Sequence, residues 1–323
     1  MCSVSSVGTL TQNFRPLHRL FISGPEDDGM RCDLHVHSIA SGMCNTPGLT
    51  RICRESYNQP RDVYERLKMA GMSIVTLTDH DSIDGAETLR RYPDFFLSEE
   101  VTVRMPSGTE MHLGVYGIGE RDHAEIQQRR GDFIGLVMYL TRRKLFFSVN
   151  HVFSGLTGRR EYEDFSWLAR YVPGLETRNG QMWDEANAGA ARLASQLGKI
   201  AVGGSDSHTL RGVGRTYTEV PGVRTIDEFL GGLRTGWGQV HGRSGSYLGL
   251  TADVFSIIKG LLLEKPWTAA LLPLSLLVPA FVMGHWMNEA RFCKRWVAAC
   301  ESLERQPRLW EVDSSLEPIF AEL

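Results

Sequence analysis

Arg31-Cys32-Asp33-Leu34-His35-Val36-His37-Ser38 sets apolar residues between two histidines, the alternation of a strand that carries both imidazoles on one face. His35 and His37 are therefore a candidate metal clamp, because neutral imidazole is the commonest side-chain ligand of transition metals. Alone, such a pair is ordinary. Three later runs repeat the arrangement of a short apolar stretch that breaks into polar residues: Ser73-Ile74-Val75-Thr76-Leu77-Thr78-Asp79-His80-Asp81, Leu145-Phe146-Phe147-Ser148-Val149-Asn150-His151 and Ile200-Ala201-Val202-Gly203-Gly204-Ser205-Asp206-Ser207-His208. In α/β sheets and barrels, ligands gather at the carboxyl ends of strands, so four such endings predict one shared site.

Length and composition bound the function. A chain of 323 residues with 42% hydrophobic content can bury a large core, and one large domain with an appendage fits it best. A net charge of -3 gives no basic footprint for extended duplex binding, and leaves a nucleotide or short single strand open. The six cysteines form no CxxC pair, which favours reduced thiols and a cytoplasmic setting. The N-terminus lacks the basic-then-apolar order of a signal peptide, so export is not expected.

Residues 1–29 end in a turn-rich Gly24-Pro25-Glu26-Asp27-Asp28-Gly29 and read as an N-terminal arm. Val63, Leu67 and Ala70 form a helical stripe over 60–70 that Gly71 closes. A short helix over 84–91 follows, then strands over 95–103 and 111–118 around a Pro106-Ser107-Gly108 turn. Helical spacing over 121–143, broken at Gly131, leads into the strand ending at His151. Further helices are expected over 163–171 and 184–197, with a strand over 175–178 between them. Thr225-Ile226-Asp227-Glu228 is a capping box that opens another helix. The recurring β-then-α order argues for a barrel-like α/β fold over 30–245. The region 246–323 reads as a C-terminal helical appendage. Within it, 266–284 carries no charge and approaches the ~20 apolar residues that cross a bilayer. Pro273 and Pro279 interrupt that run, so a membrane helix stands beside a buried or interfacial helical pair. Arg291, Lys294 and Arg295 just beyond it would suit anionic headgroups, or form a solvated face.

Taken together, Asp33-Leu34-His35-Val36-His37-Ser38, Thr78-Asp79-His80-Asp81-Ser82-Ile83-Asp84-Gly85, Asn150-His151 and Gly204-Ser205-Asp206-Ser207-His208 resemble the polymerase and histidinol phosphatase (PHP) superfamily. The resemblance implies a distorted (β/α)7 barrel with two or three divalent metal ions at its C-terminal face and a metal-dependent phosphoesterase activity. It also implies a ligand set: His35, His37, His80, Glu100 as the bridging glutamate, with Glu99 its adjacent competitor, His112, His151, Asp206 and His208. The chain departs from the family at Ser41-Gly42, where many members carry an acid or histidine. Glu55 is the nearest substitute, and Cys44 a poorer one. The chain also lacks a polymerase body.

A single histidine is ordinarily a packed core residue, whereas six at matching positions are a ligand set. Mixed imidazole and carboxylate donors suit zinc, manganese or iron better than magnesium. Asp79 and Asp81 flank His80, and one of them is expected to orient a ligating imidazole, or both to cap the following turn. Arg178, at the end of its strand, is a candidate fork for a substrate phosphate, with Arg159, Arg160, Arg211 and Arg215 as alternatives. The expected function is hydrolysis, by metal-bound hydroxide, of a phosphate monoester or of the terminal nucleotide of a short oligonucleotide. No general acid is assigned. The alternatives are an amidohydrolase-type C-N hydrolase and a metal-stabilised scaffold or regulatory module. The partners expected are a small phosphorylated substrate or nucleotide and, through 266–284, a membrane; no protein partner is indicated.

Overall fold

The computed structural model describes residues 29–303 apart from residue 47, so the expected arm, but for Gly29, lies outside the described residues. Five strands form a mixed sheet: β2 (Ser98–Arg104), β3 (Glu110–Tyr116), β4 (Phe146–Val149), β5 (Gly174–Asn179) and β6 (Ile200–Gly204), ordered as numbered. The first two pairings are antiparallel and the last two parallel. A second, antiparallel sheet contains β1 (Met30–Cys32), β7 (Thr216–Val220) and β8 (Gln239–Gly242), with β7 central.

Among the described residues these strands do not close into a barrel. The runs expected as two further barrel strands, 33–37 and 73–80, make no continuous ladder. They are tied to their neighbours by isolated bridges, Val36 to Ser207, Val75 to Phe95 and His80 to Glu100. A few backbone bonds, such as Thr78 N–H to the Val36 carbonyl and His37 N–H to the Ser207 carbonyl, join them, and side chains supplement these. The Thr78 hydroxyl accepts the Val36 N–H, and the Asp33 carboxylate accepts N–H groups from His35, Ser205 and Gly214 at 2.8–3.2 Å. Buried backbone donors must be paired somewhere, and here polar side chains from within the core satisfy them. Gly204 permits the close approach: a Cβ there would lie 2.3 Å from His35 Cβ and 2.4 Å from its amide nitrogen.

Helices cover the sheets where the apolar stripes lie. In α1 (Pro60–Met69), Pro60 occupies the first turn, Val63 and Leu67 are buried, and Gly71 follows at φ +87°. The expected 84–91 helix is shorter, α2 (Asp84–Glu87). The 121–143 pattern resolves into α3 (Glu120–Arg129) and α4 (Phe133–Arg142). Then come α5 (Tyr162–Tyr171), α6 (Asp184–Gln196) and α7 (Ile226–Arg234). In α7 the expected capping box forms: Thr225 Oγ1 accepts the Glu228 N–H, and Glu228 accepts the Thr225 N–H, both at 3.2 Å.

The C-terminal region packs on this body rather than standing away from it. It consists of α8 (Tyr247–Glu264), a 3-10 run over Pro266–Leu277 and α9 (Val278–Leu303). Cys293, Trp296, Ala299 and Cys300 belong to the main core, and the buried Glu289 carboxylate accepts the Ser154 hydroxyl and the Gly155 N–H.

Candidate metal centre

The donors converge from separate elements. His35 and His37 come from the irregular 33–37 segment, His80 from the end of 73–80, Glu100 from β2, His112 from β3, His151 from just after β4, and Asp206 and His208 from just after β6. Three of these strand ends hold a non-glycine residue in the left-handed region: Asp81 (φ 51°), His151 (28°) and Asp206 (50°). Asp and His tolerate this conformation better than bulky or branched residues, and it turns the chain sharply at the point where the donors gather.

Glu100, fully buried, sits at the centre. Its Oε2 lies 3.1 Å from His35 Nε2, 3.3 Å from His37 Nε2 and 3.3 Å from His80 Nδ1. Its Oε1 lies 3.2 Å from both His112 Nδ1 and His151 Nε2. Asp206 Oδ1 stands 3.4 Å from His35 Nε2, 3.3 Å from His37 Nε2 and 3.7 Å from His208 Nδ1. The donor groups His35–His37–Glu100, His35–His151–Asp206, His80–Glu100–His112 and His37–His80–His208 each bring their ligand atoms within 4.8 Å of one another. Glu99, the competitor, points the other way and accepts bonds from His123 and Gln127.

The residues fit divalent cations. His37 Nε2 and His112 Nδ1 are buried without a hydrogen-bond partner, although each faces a Glu100 oxygen at 3.2–3.3 Å. Buried lone pairs aimed at a carboxylate are what a cation between them satisfies. The electrostatics agree. Burial opposes ionisation of Glu100, but His35, His80 and His112 outweigh it and hold the carboxyl well below its ordinary range. Asp206 is likewise buried and is driven down by His35, His37 and the neighbouring histidines. Burial, reinforced by His208, pushes His37 down to about 4. His35 moves up, since Asp206, Glu100 and Glu176 outweigh its burial. Buried anionic carboxylates facing a ring of imidazoles form a ligand set, in which a bound cation would take the place of the protons that the carboxylates otherwise draw onto His35.

Behind the donors lies a layer that the sequence reading reached only in part. His35 Nδ1 faces the buried Glu176 at 2.8 Å, which leaves Nε2 free to ligate. Glu176 also accepts the His151 N–H, and Asn179 Nδ2 donates to both Glu176 and Asp206. Asn150 Nδ2 donates to Glu100 Oε1 at 2.9 Å. Glu176 and Asn179 were not anticipated. Glu176 lies in a strand whose Thr177, Arg178 and Asn179 are also polar, so residue type alone did not single it out.

At the position of the family departure, Ser41 Oγ donates to Asp79 Oδ1 at 2.7 Å and faces His37 Nδ1 at 3.0 Å. Asp79 therefore reaches a ligand imidazole, that of His37, through Ser41, in line with one of the roles expected for it; it also accepts the Ser38 N–H and hydroxyl, as a turn cap does. Asp81 turns outward to the Thr102 N–H and the Arg130 guanidinium. Glu55 does reach the cluster, with Oε2 3.4 Å from His80 Nε2, and burial lifts its carboxyl to about 7 against the pull of His208.

The arginines lie elsewhere. Arg178 donates to the Gly242 carbonyl, because a bulge between Glu176 and Arg178 breaks the alternation that would have put both on one face. Arg160 is buried against the Glu110 carbonyl and Thr157, Arg211 pairs with Asp253, and Arg159 lies 3.8 Å from Glu161. Among the described residues no hydrogen bond or ion pair joins these arginines or Arg215 to the cluster.

A model of the PHP-associated family, PHP_C, matches residues 184–236, which carry β6, Asp206 and His208. No curated protein sequence matches the chain. Among solved structures, the fold is similar to PsfC from Pseudomonas syringae PB-5123, with 18% identity, a TM-score of 0.53, and coverage of 72% of this chain and 99% of that one. It is also similar to a two-domain protein from Bacteroides vulgatus ATCC 8482 containing a predicted PHP-like metal-dependent phosphoesterase, with 17% identity, a TM-score of 0.51, and coverage of 73% and 70%. The segment 184–236 is thus similar to the PHP-associated family, and the chain shares its fold with these two structures.

Proposed function

We propose that the chain is a metal-dependent phosphoesterase that hydrolyses a phosphate monoester or the terminal nucleotide of a short oligonucleotide, with two or three ions drawn from manganese, zinc or iron. The observation that carries this reading is the division of Glu100: one carboxylate oxygen faces His35, His37 and His80, the other His112 and His151. Ions held by these histidines, Glu100 and Asp206 would supply Lewis-acid polarisation of a phosphoryl oxygen and a water acidic enough to act as nucleophile near neutral pH. The chain's own groups supply the frame. Glu176 and Ser41 set the ring orientation of His35 and His37, and Asn150 and Asn179 steady the two carboxylates. His35, His37 and His151 form the dry floor, while His80, His112, His208 and Glu55 keep some exposure and form the mouth through which a phosphate would enter. The description of the Bacteroides vulgatus protein agrees with this at the level of fold.

The test is hydrolysis of a panel of esters, from an aryl phosphate to nucleotides and short oligonucleotides, with added manganese, with chelator, and with His37→Ala. Turnover by the native chain that both controls abolish is expected. Bound metal without cleavage of any ester would overturn the assignment.

A further inference from the structure

We propose that the 3-10 run Pro266–Leu277 and the first turns of α9 form a lipid-binding surface that seats the protein in one leaflet of an anionic membrane. Residues 266–288 contain no Asp, Glu, Lys or Arg, yet the segment is not packed away. Leu276 is 84% exposed, Trp267 and Phe281 62%, and Leu274, Leu277 and Met283 join them on the surface. Soluble monomers seldom present so continuous an apolar face.

Lipid fits this face better than a second protein. Protein interfaces carry roughly one hydrogen bond per 100–200 Å² and need polar groups to fix their register. Here Thr268 is buried and spends its hydroxyl on the Lys265 carbonyl. Lipid tails need no such partners. Beyond the apolar run, Arg291, Lys294 and Arg295 are exposed on α9, and Lys259 is exposed on α8, the complement of anionic headgroups.

The segment lies in the leaflet rather than crossing it, because both flanks return to the same body. On one side Glu264 pairs with Arg54, and Lys265 donates to the Ile52 carbonyl. On the other, Glu289 holds Ser154 and Gly155, and the Trp286 ring lies 5.0 Å from that of Trp183. The apolar run and α9 together are long enough to cross a bilayer, but a crossing would place these two flanks on opposite sides of the membrane, whereas both are anchored on one body. Arg54 is next to Glu55, so the apolar layer begins beside the mouth of the metal centre.

The inference stands apart from the catalytic reading, and its test needs no substrate. The full chain is sedimented with vesicles of phosphatidylcholine alone and of phosphatidylcholine mixed with phosphatidylserine. Binding that prefers the mixed vesicles, survives high salt and yields to detergent is expected, as is quenching by brominated lipid that Trp267→Phe reduces. Leu276→Asp combined with Phe281→Asp should weaken binding by roughly tenfold or more while leaving the circular dichroism unchanged. Failure to sediment, or complete release by salt, would overturn the proposal. So would a dimer, seen by light scattering without lipid, that the same two substitutions dissociate, since that assigns the face to a second copy.

Discussion

Ser41 holds His37 in one tautomer. Its single hydroxyl proton goes to Asp79 at 2.7 Å, so its lone pair accepts from His37 Nδ1 at 3.0 Å. His37 then presents Nε2, unprotonated, toward Glu100 and Asp206. The serine at the departure from the family pattern thus serves the donor set without being a donor. Ser41→Ala should lower metal affinity about 10- to 100-fold, the usual cost of losing a group that orients a ligand, with little change in fold. Competition against a metal-sensitive dye measures this; unchanged affinity would show that packing alone orients His37.

The bulge in β5 separates two residues that simple alternation puts on one face. Glu176→Gln should weaken metal binding by a similar ~10- to 100-fold factor, because an amide cannot supply the same charge to His35 and must also serve the His151 N–H. Arg178→Ala should leave metal binding unchanged, since among the described residues its guanidinium bonds the Gly242 carbonyl and none of the donors. Metal titration of the two variants side by side tests the assignment, and equal losses would refute it.

Much of this was legible in the sequence because the donors lie at the ends of short apolar runs. His35, His37, His80, His151, Asp206 and His208 could be placed together from that pattern, and the 3.6-residue stripes of α1 and α4 were equally visible. The choice between Glu99 and Glu100 was not, since neighbouring strand residues point to opposite faces and a one-residue shift in register exchanges them. Glu176 and Arg178 were hidden by the bulge, which has no signature in the residue types. The open ring escaped notice for a related reason. Thr78 and Asp33 add side-chain bonds to a sparse set of backbone ones, and a hydrophobic pattern does not distinguish a strand in a full backbone ladder from one held partly by polar side chains.

Metal should stabilise the fold as well as serve the chemistry, because the donors come from six segments that the unfolded chain does not hold together. A divalent ion at a hundred times its dissociation constant contributes about 2.7 kcal/mol, or roughly 4–5 °C in Tm for a chain of this size. Chelation should remove that increment and manganese or zinc restore it, whereas Glu100→Ala should abolish the response. Calorimetric scans with and without chelator decide the matter, and identical traces would sink the metal centre as drawn.

Asp122 offers a pH test remote from the metal centre. Its carboxylate accepts the Gly119 N–H at the start of α3, the Tyr139 hydroxyl on α4 and the guanidinium of Arg143, at 2.7–3.0 Å. Burial would raise its pKa, but Arg143, Tyr139 and the Gly119 N–H outweigh it and hold the folded-state value below the ordinary 3.8. For an acid depressed in this way, the stabilisation is fully present above the unfolded pKa and is lost as pH falls through the folded one. Asp122→Asn should therefore cost about 1–2 kcal/mol at neutral pH, by loss of the charged partner for Arg143. As pH falls through the folded-state pKa, which lies below the ordinary value, the native carboxyl itself becomes neutral, and the difference between the two proteins should shrink toward zero. Urea unfolding of both at neutral and acid pH measures the two differences. A cost that stays constant across that range would mean that Asp122 acts through shape and hydrogen-bond geometry, not through its charge.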